Sequence, residues 1–178
     1  MVLGGTIQTL STNNSPEQGP INGLLFVPDL YPDYTCNKVI SQFVPQNVTR
    51  LQDISPFQYQ GIGLAPWVST ECTQAFLASS RKAKLEALIF FQPSSSDTGK
   101  PPPPDDSSWS LGDADAWKNE NQYPVYAVAG PVGATLVHEL SLYSGNSSNS
   151  LSKESTTQNG YIRLLANIDL GNYPNHLF

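Results

Sequence analysis

Charge is scarce in this chain. Charged residues make up 13% of its 178 residues, about half the roughly 25% usual in soluble domains. The nine Lys and Arg form no block, and the formal net charge is −6. Phosphate backbones are bound by clustered cations, so nucleic acid is excluded as a partner, and anionic membrane surfaces are disfavoured for the same reason. No run approaches the roughly 20 consecutive apolar residues of a membrane span. The start, Met1-Val2-Leu3-Gly4-Gly5, lacks the basic region and long apolar core of a signal peptide. A secretion signal is therefore expected to have been removed, and the chain to be a piece of a longer protein. There are only two cysteines and two histidines. A four-cysteine zinc site is excluded, and no metal or other cofactor is expected.

What fills the space left by charge is Pro (15 residues), Gly (13 residues), Ser and Asn, against an apolar share of 39%. That apolar share suffices for one folded domain with a core, and the balance suits a loop-rich secreted domain. Two readings of Cys36 and Cys72 are open: buried free thiols, or one disulfide. Sequons tip the balance toward the disulfide, because both point to an oxidising compartment. Asn47-Val48-Thr49 and Asn146-Ser147-Ser148 fit N-x-[ST] and sit in expected loops, which makes Asn47 and Asn146 the candidate glycan acceptors. Asn13-Asn14-Ser15 fits as well, but Pro16 follows and hinders its use. A Cys36–Cys72 bridge would close a loop of about 35 residues and stabilise the fold by about 3–4 kcal/mol in the chain-entropy model.

Residues 1–19 read as a polar extension with an edge strand near 6–10. Leu24-Leu25-Phe26-Val27 reads as a buried strand stopped by Pro28, followed by a loop over 28–36. Residues 37–58 have no clear period. A strand over 60–68 precedes a helix over about 70–83, capped by Ser69 or Thr70. Glu71 lies in the first turn of that helix and Arg81 and Lys82 in its last, complementing the dipole. The spacing of Cys72, Ala75, Phe76 and Ser79 predicts its buried stripe, and Arg81, Lys82 and Lys84 read as its solvated end. Ala87-Leu88-Ile89-Phe90-Phe91 completes a strand–helix–strand unit, so its two strands are expected to be parallel. Residues 92–108, rich in Ser and Pro, read as a flexible surface insertion. A strand over 123–128 follows. Gly130 and Pro131 start a second helix over 131–144, with Val132, Leu136, Leu140 and Tyr143 on its buried face and Gly145 at its end. A last strand over 161–168 and a tail over 171–178 close the chain, and 20–170 is expected to form one domain.

Catalysis needs a constellation, and none assembles. His138 lies in a predicted helix beside Glu139, and His176 lies in the tail. Neither comes with the partnered serine and orienting group of nucleophilic catalysis. No G-x-S-x-G, H-E-x-x-H, phosphate loop or dinucleotide fingerprint occurs. Asp113 and Asp115 could serve a calcium loop or a turn cap. The missing Gly and Glu of a calcium loop favour the cap. Trp109 and Trp117 flank that stretch. They either form an exposed recognition surface or pin the insertion to the core, and burial statistics favour the second. If exposed, Trp109, Trp117 and Trp67 are the candidate protein-binding positions.

The order of these elements resembles the protease-associated (PA) domain. The matching stretches are residues 24–36, with Cys36 after the first strand, residues 63–72, ending in Cys72, the strand Ala87–Phe91, and Tyr123-Pro124-Val125 before a Gly-initiated helix. Trp67-Val68, or Ser69-Thr70 in the other register, stands where the family has Arg-Gly, so a ligand mode built on that turn is not carried over. Phe76 takes the place of the family's Phe after the second Cys. The resemblance implies an α/β fold: a PA-like β-sandwich or open barrel of mixed strands with two flanking helices. It also implies that Cys36 pairs with Cys72.

Residues 65–73 and 143–146 are further similar to fungal membrane proteins in which a luminal PA-like domain precedes a transmembrane helix and a cytosolic RING finger. That likeness implies a non-catalytic luminal or extracellular domain in the Golgi, endosome or vacuole. Such a domain would recruit a protein or peptide ligand for a membrane-anchored E3 ubiquitin ligase, or regulate it. The alternative is the PA domain of a peptidase or of a vacuolar sorting receptor. Candidate binding edges are the loop after 24–27 and the region 92–122.

Overall fold

The protein's computed structural model describes residues 6–13, 15, 19–54, 60–83, 85–97, 99–143 and 164–170. In chain order it forms β1 (Gln8–Ser11), β2 (Ile21–Phe26), α1 (Cys36–Ile40), α2 (Leu51–Ile54), β3 (Gly61–Pro66), α3 (Thr70–Ala83) and β4 (Ala87–Phe91). A 3-10 turn at Ser107–Trp109 is followed by α4 (Trp117–Glu120), β5 (Val125–Val128), α5 (Gly130–Tyr143) and β6 (Leu165–Ile168). The strands make one curled, mixed sheet in the order β1-β5-β4-β3-β2-β6. The four inner strands are parallel, and β1 and β6 pair antiparallel at its two edges.

Hydropathy explains this arrangement. Every position of β3, β4 and β5 is buried, as parallel strands covered on both faces require. The register Ile62↔Ala87 through Pro66↔Phe91 makes β3-α3-β4 the parallel unit that the sequence predicts. A Cβ on Gly61 would lie 2.6 Å from the Phe26 ring and 3.1 Å from Ile54 of α2, so this face closes only over glycine. The opposite face carries Phe91, onto whose ring Gly133 of α5 is packed so closely that a Cβ there would overlap it. The sheet thus has helices on both sides, with the long pair near the ranges expected.

Several local expectations shift. Residues 37–58, without a readable period, contain the short helices α1 and α2. The N-terminal stretch is not separate from the domain, because β1 pairs with β5. On α3 the buried residues are Cys72, Thr73, Phe76, Leu77 and Ser80; Ala75 and Ser79 are only half-buried. On α5 the buried side is Gly133, Val137 and Leu140, while Val132 and Leu136 are half-buried. Gly145, residues 161–163 and the tail lie outside the described residues. The insertion is also more ordered in its contacts than a free excursion. Pro101 is buried, and the Pro102 and Pro104 carbonyls accept hydrogen bonds from Trp109 Nε1 (3.1 Å) and Lys118 Nζ (3.0 Å). Proline has no N–H to donate but keeps its carbonyl as an acceptor, and here two side-chain donors use it.

Candidate functional site

The three tryptophans come together, but not at the surface. Trp67, Trp109 and Trp117 are 9%, 1% and 2% exposed. The Trp67 ring meets Phe90, Trp109 and Trp117 at centroid distances of 5.0, 5.1 and 5.5 Å, the first two edge to face. Edge-to-face contact matches the positive ring edge to the negative ring face. Trp117 Nε1 donates to the Trp109 carbonyl at 3.2 Å, so both indole N–H groups of the insertion are satisfied inside the cluster. Trp67, Trp109 and Trp117 therefore form no exposed recognition surface; of the two readings, the structure has the one in which they staple the insertion to the core. Asp113 supports the staple as a cap, its Oδ2 accepting from Trp117 N at 3.0 Å. Ala114 and Asp115 in the same turn have φ of 53° and 63°, the left-handed region.

Cys36 and Cys72 form a disulfide, both side chains buried. It joins the start of α1 to the first turn of α3, where the Ser69 hydroxyl accepts from Cys72 N at 3.2 Å. Asn47 is exposed, and its Nδ2 donates to the Ser141 carbonyl of α5 at 2.9 Å, while Val48 and Thr49 of its sequon are buried. Asn146 and His176 lie outside the described residues. His138 is exposed on α5. Among the described residues, no three His, Cys, Asp or Glu side chains group so as to hold a metal ion, and no helix is long and apolar enough to cross a membrane.

The concave surface lies elsewhere, where the loop over 28–36 runs beside α3. A groove of about 390 Å³ opens there. Its apolar lining comes from Leu30, Pro32, Leu51, Ala75 and Ala78, and its rim from Tyr31, Tyr34 and Lys82. A second cavity of about 310 Å³ lies against Phe76 and Ile40 and shares Leu30 and Pro32 with the first. The loop is thus a wall between two hollows, and it is tied down along its length. Ser79 Oγ donates to the Asp29 carbonyl (2.6 Å), Arg50 Nη1 to the Pro28 carbonyl (3.3 Å), and Arg50 Nε pairs with the Asp29 carboxylate (3.6 Å). Asn37 Nδ2 reaches both the Tyr31 and Pro32 carbonyls, at 2.6 and 3.1 Å. The disulfide fixes the loop's far end at Cys36. Desolvation lowers the pKa of the Arg50 guanidinium, and the Asp29 and Asp53 carboxylates oppose that shift.

At the rim, Lys82 Nζ donates to the Tyr31 hydroxyl at 2.6 Å and lies 5.0 Å from the ring centroid. That hydrogen bond and the ammonium's charge hold the Tyr31 phenol below its ordinary pKa. Tyr31 is nevertheless 69% exposed. The loop after the first strand, one of the two candidate edges, walls this groove; the helix side of the groove was not read from the sequence. Ala75, Ala78, Ser79 and Lys82 recur at i, i+3, i+4 and i+7, a second stripe on α3 beside the buried one. That spacing is the signal that could have found them. Lys82, read as a solvated helix end, belongs to the groove; Arg81 instead donates to Asn121 Oδ1 at 2.9 Å. No family model, no curated protein and no solved structure matches this chain.

Proposed function

We propose that this is a non-catalytic protein-interaction domain, PA-like in fold, that takes an extended apolar protein segment in the groove between the 28–36 loop and α3. One observation carries the reading: a sizeable, mostly apolar hollow with two tyrosines at its rim, walled by a loop held at both ends. Such sites bury an apolar ligand and orient it with a few polar groups. A pre-tied wall also lowers the ordering cost of binding. The disulfide supports a luminal or extracellular setting. The resemblance of residues 65–73 and 143–146 is the ground for placing the domain on the luminal side of a transmembrane RING-type ubiquitin ligase, as cargo recruiter or regulator. That placement is an analogy at the level of family.

The groove is tested with an array of acetylated, amidated hexapeptides of graded apolar content. Apolar peptides are expected to bind the parent protein. They should fail to bind Ala78→Arg, a variant whose long side chain fills the groove while suiting a helix. Equal binding to parent and variant, at unchanged Tm, would place the ligand elsewhere. The ligase placement is tested in the intact protein by deleting this domain: unchanged ubiquitination of membrane cargo would overturn it.

A further inference from the structure

Lys82 and Tyr31 place two hydrogen-bond donors together at the rim of the groove. Along the wall, the Pro28 carbonyl already accepts from Arg50, that of Asp29 from Ser79, and those of Tyr31 and Pro32 from Asn37. Pro28 and Pro32 bring no N–H. Of the two charged side chains lining the groove, the Asp29 carboxylate is paired with Arg50. The other is Lys82, whose ammonium is a donor with three protons. Its partner is the Tyr31 hydroxyl, and an ammonium can only donate, so Tyr31 accepts and its own O–H proton is left for a ligand. Two donors, one of them cationic, therefore stand side by side over an apolar floor.

We infer that the segment recognised in this groove carries an Asp or Glu side chain, which sits on Lys82 Nζ and the Tyr31 hydroxyl while its apolar neighbours fill the floor. This rests on the groove being the peptide site. Charge decides between occupants: a basic segment would meet the Lys82 ammonium, and the Asp29 carboxylate of the lining already faces Arg50. An acidic one gains a charge-assisted hydrogen bond in which Tyr31 adds a second donor. Geometry favours a side chain of a passing segment over a chain end. The α3 side of the groove runs from Ala75 to Ala83, about 12 Å along a helix and enough for about four extended residues. Lys82 and Tyr31 are both exposed, so the cation stands at the groove's rim rather than across its floor.

The test uses the same array with one position set to Glu, Gln or Lys and the rest drawn from Ala, Leu, Val, Pro and Tyr. Glu peptides are expected to bind about three- to fivefold more tightly than Gln peptides, the size of a rim ion pair, and Lys peptides least. The preference should shrink as salt rises. Lys82→Met should bind Glu and Gln peptides alike, and Lys82→Arg should keep the preference. If Glu, Gln and Lys peptides bind the parent equally, the acidic occupant is overturned while the groove stands. If no peptide binds, both fall. If Gln peptides with a free C-terminal carboxylate match the amidated Glu peptides, the side-chain assignment is overturned in favour of a chain terminus.

Discussion

Tyr123 is buried with its hydroxyl donating to the Leu77 carbonyl at 2.9 Å and with Asn121 Oδ1 at 3.2 Å. Burial raises its phenol pKa well above the ordinary range, although the nearby Arg81 charge pulls the other way. An unfolded tyrosine ionises near pH ~10, while the folded one keeps its proton, so the contribution is whole below that pH and is lost as pH rises above it. Denaturant unfolding between pH 9 and about 11 should show stability falling more steeply in the parent than in Tyr123→Phe. The difference should approach ~1.4 kcal/mol per pH unit; equal slopes would sink this assignment. Trp67 is the hub of the ring cluster. Trp67→Ala should cost about 3–5 kcal/mol and red-shift the emission of Trp109 and Trp117 as their shared packing opens. An unshifted spectrum would mean the staple does not depend on Trp67. That the tryptophans are buried was only half legible. A Pro-rich stretch has no period from which to read a face, and the ring that covers Trp109 and Trp117 comes from a distant part of the chain.

Among the elements, α3 and α5 contrast. The existence and length of α3 were readable from its Ser69 cap, its charged ends and its 3.6-residue period. Its buried stripe fell one step away from the one expected because its other face lines a groove, so half-buried alanines stand next to buried ones. On α5, the apolar spacing marked a face through Val132, Leu136 and Leu140, but the buried side is turned to Gly133, Val137 and Leu140, a rotation that hydropathy did not fix. Gly133 did, by letting the backbone settle against the Phe91 ring. Gly133→Ala should therefore destabilise the protein by about 1–3 kcal/mol through overpacking, against the gain of up to about 1 kcal/mol that Ala brings to a helix. Thermal unfolding decides it: a raised Tm would show that α5 can move off β4 at little cost.

For the whole molecule, the disulfide links the wall of the groove to the helix opposite. Thiol titration of the denatured, unreduced protein should find no free Cys. Reduction should cost about 3–4 kcal/mol and, by releasing residue 36, weaken peptide binding beyond what the lost stability explains. Two reactive thiols would remove the clamp. The sequence by itself determined the α/β alternation, the parallel β3-α3-β4 unit and the two long helices, because period, caps and apolar runs are local properties. For Cys36 and Cys72 it left free thiols and a bridge both open, with the sequons favouring the bridge that the structure contains. Tertiary structure alone decided that β1 and β6 close the two edges, that the tryptophans turn inward, and that Tyr31 meets Lys82 across the groove. Each of these joins segments distant in the chain, and which faces meet depends on how glycines and rings fit rather than on any pattern within one segment.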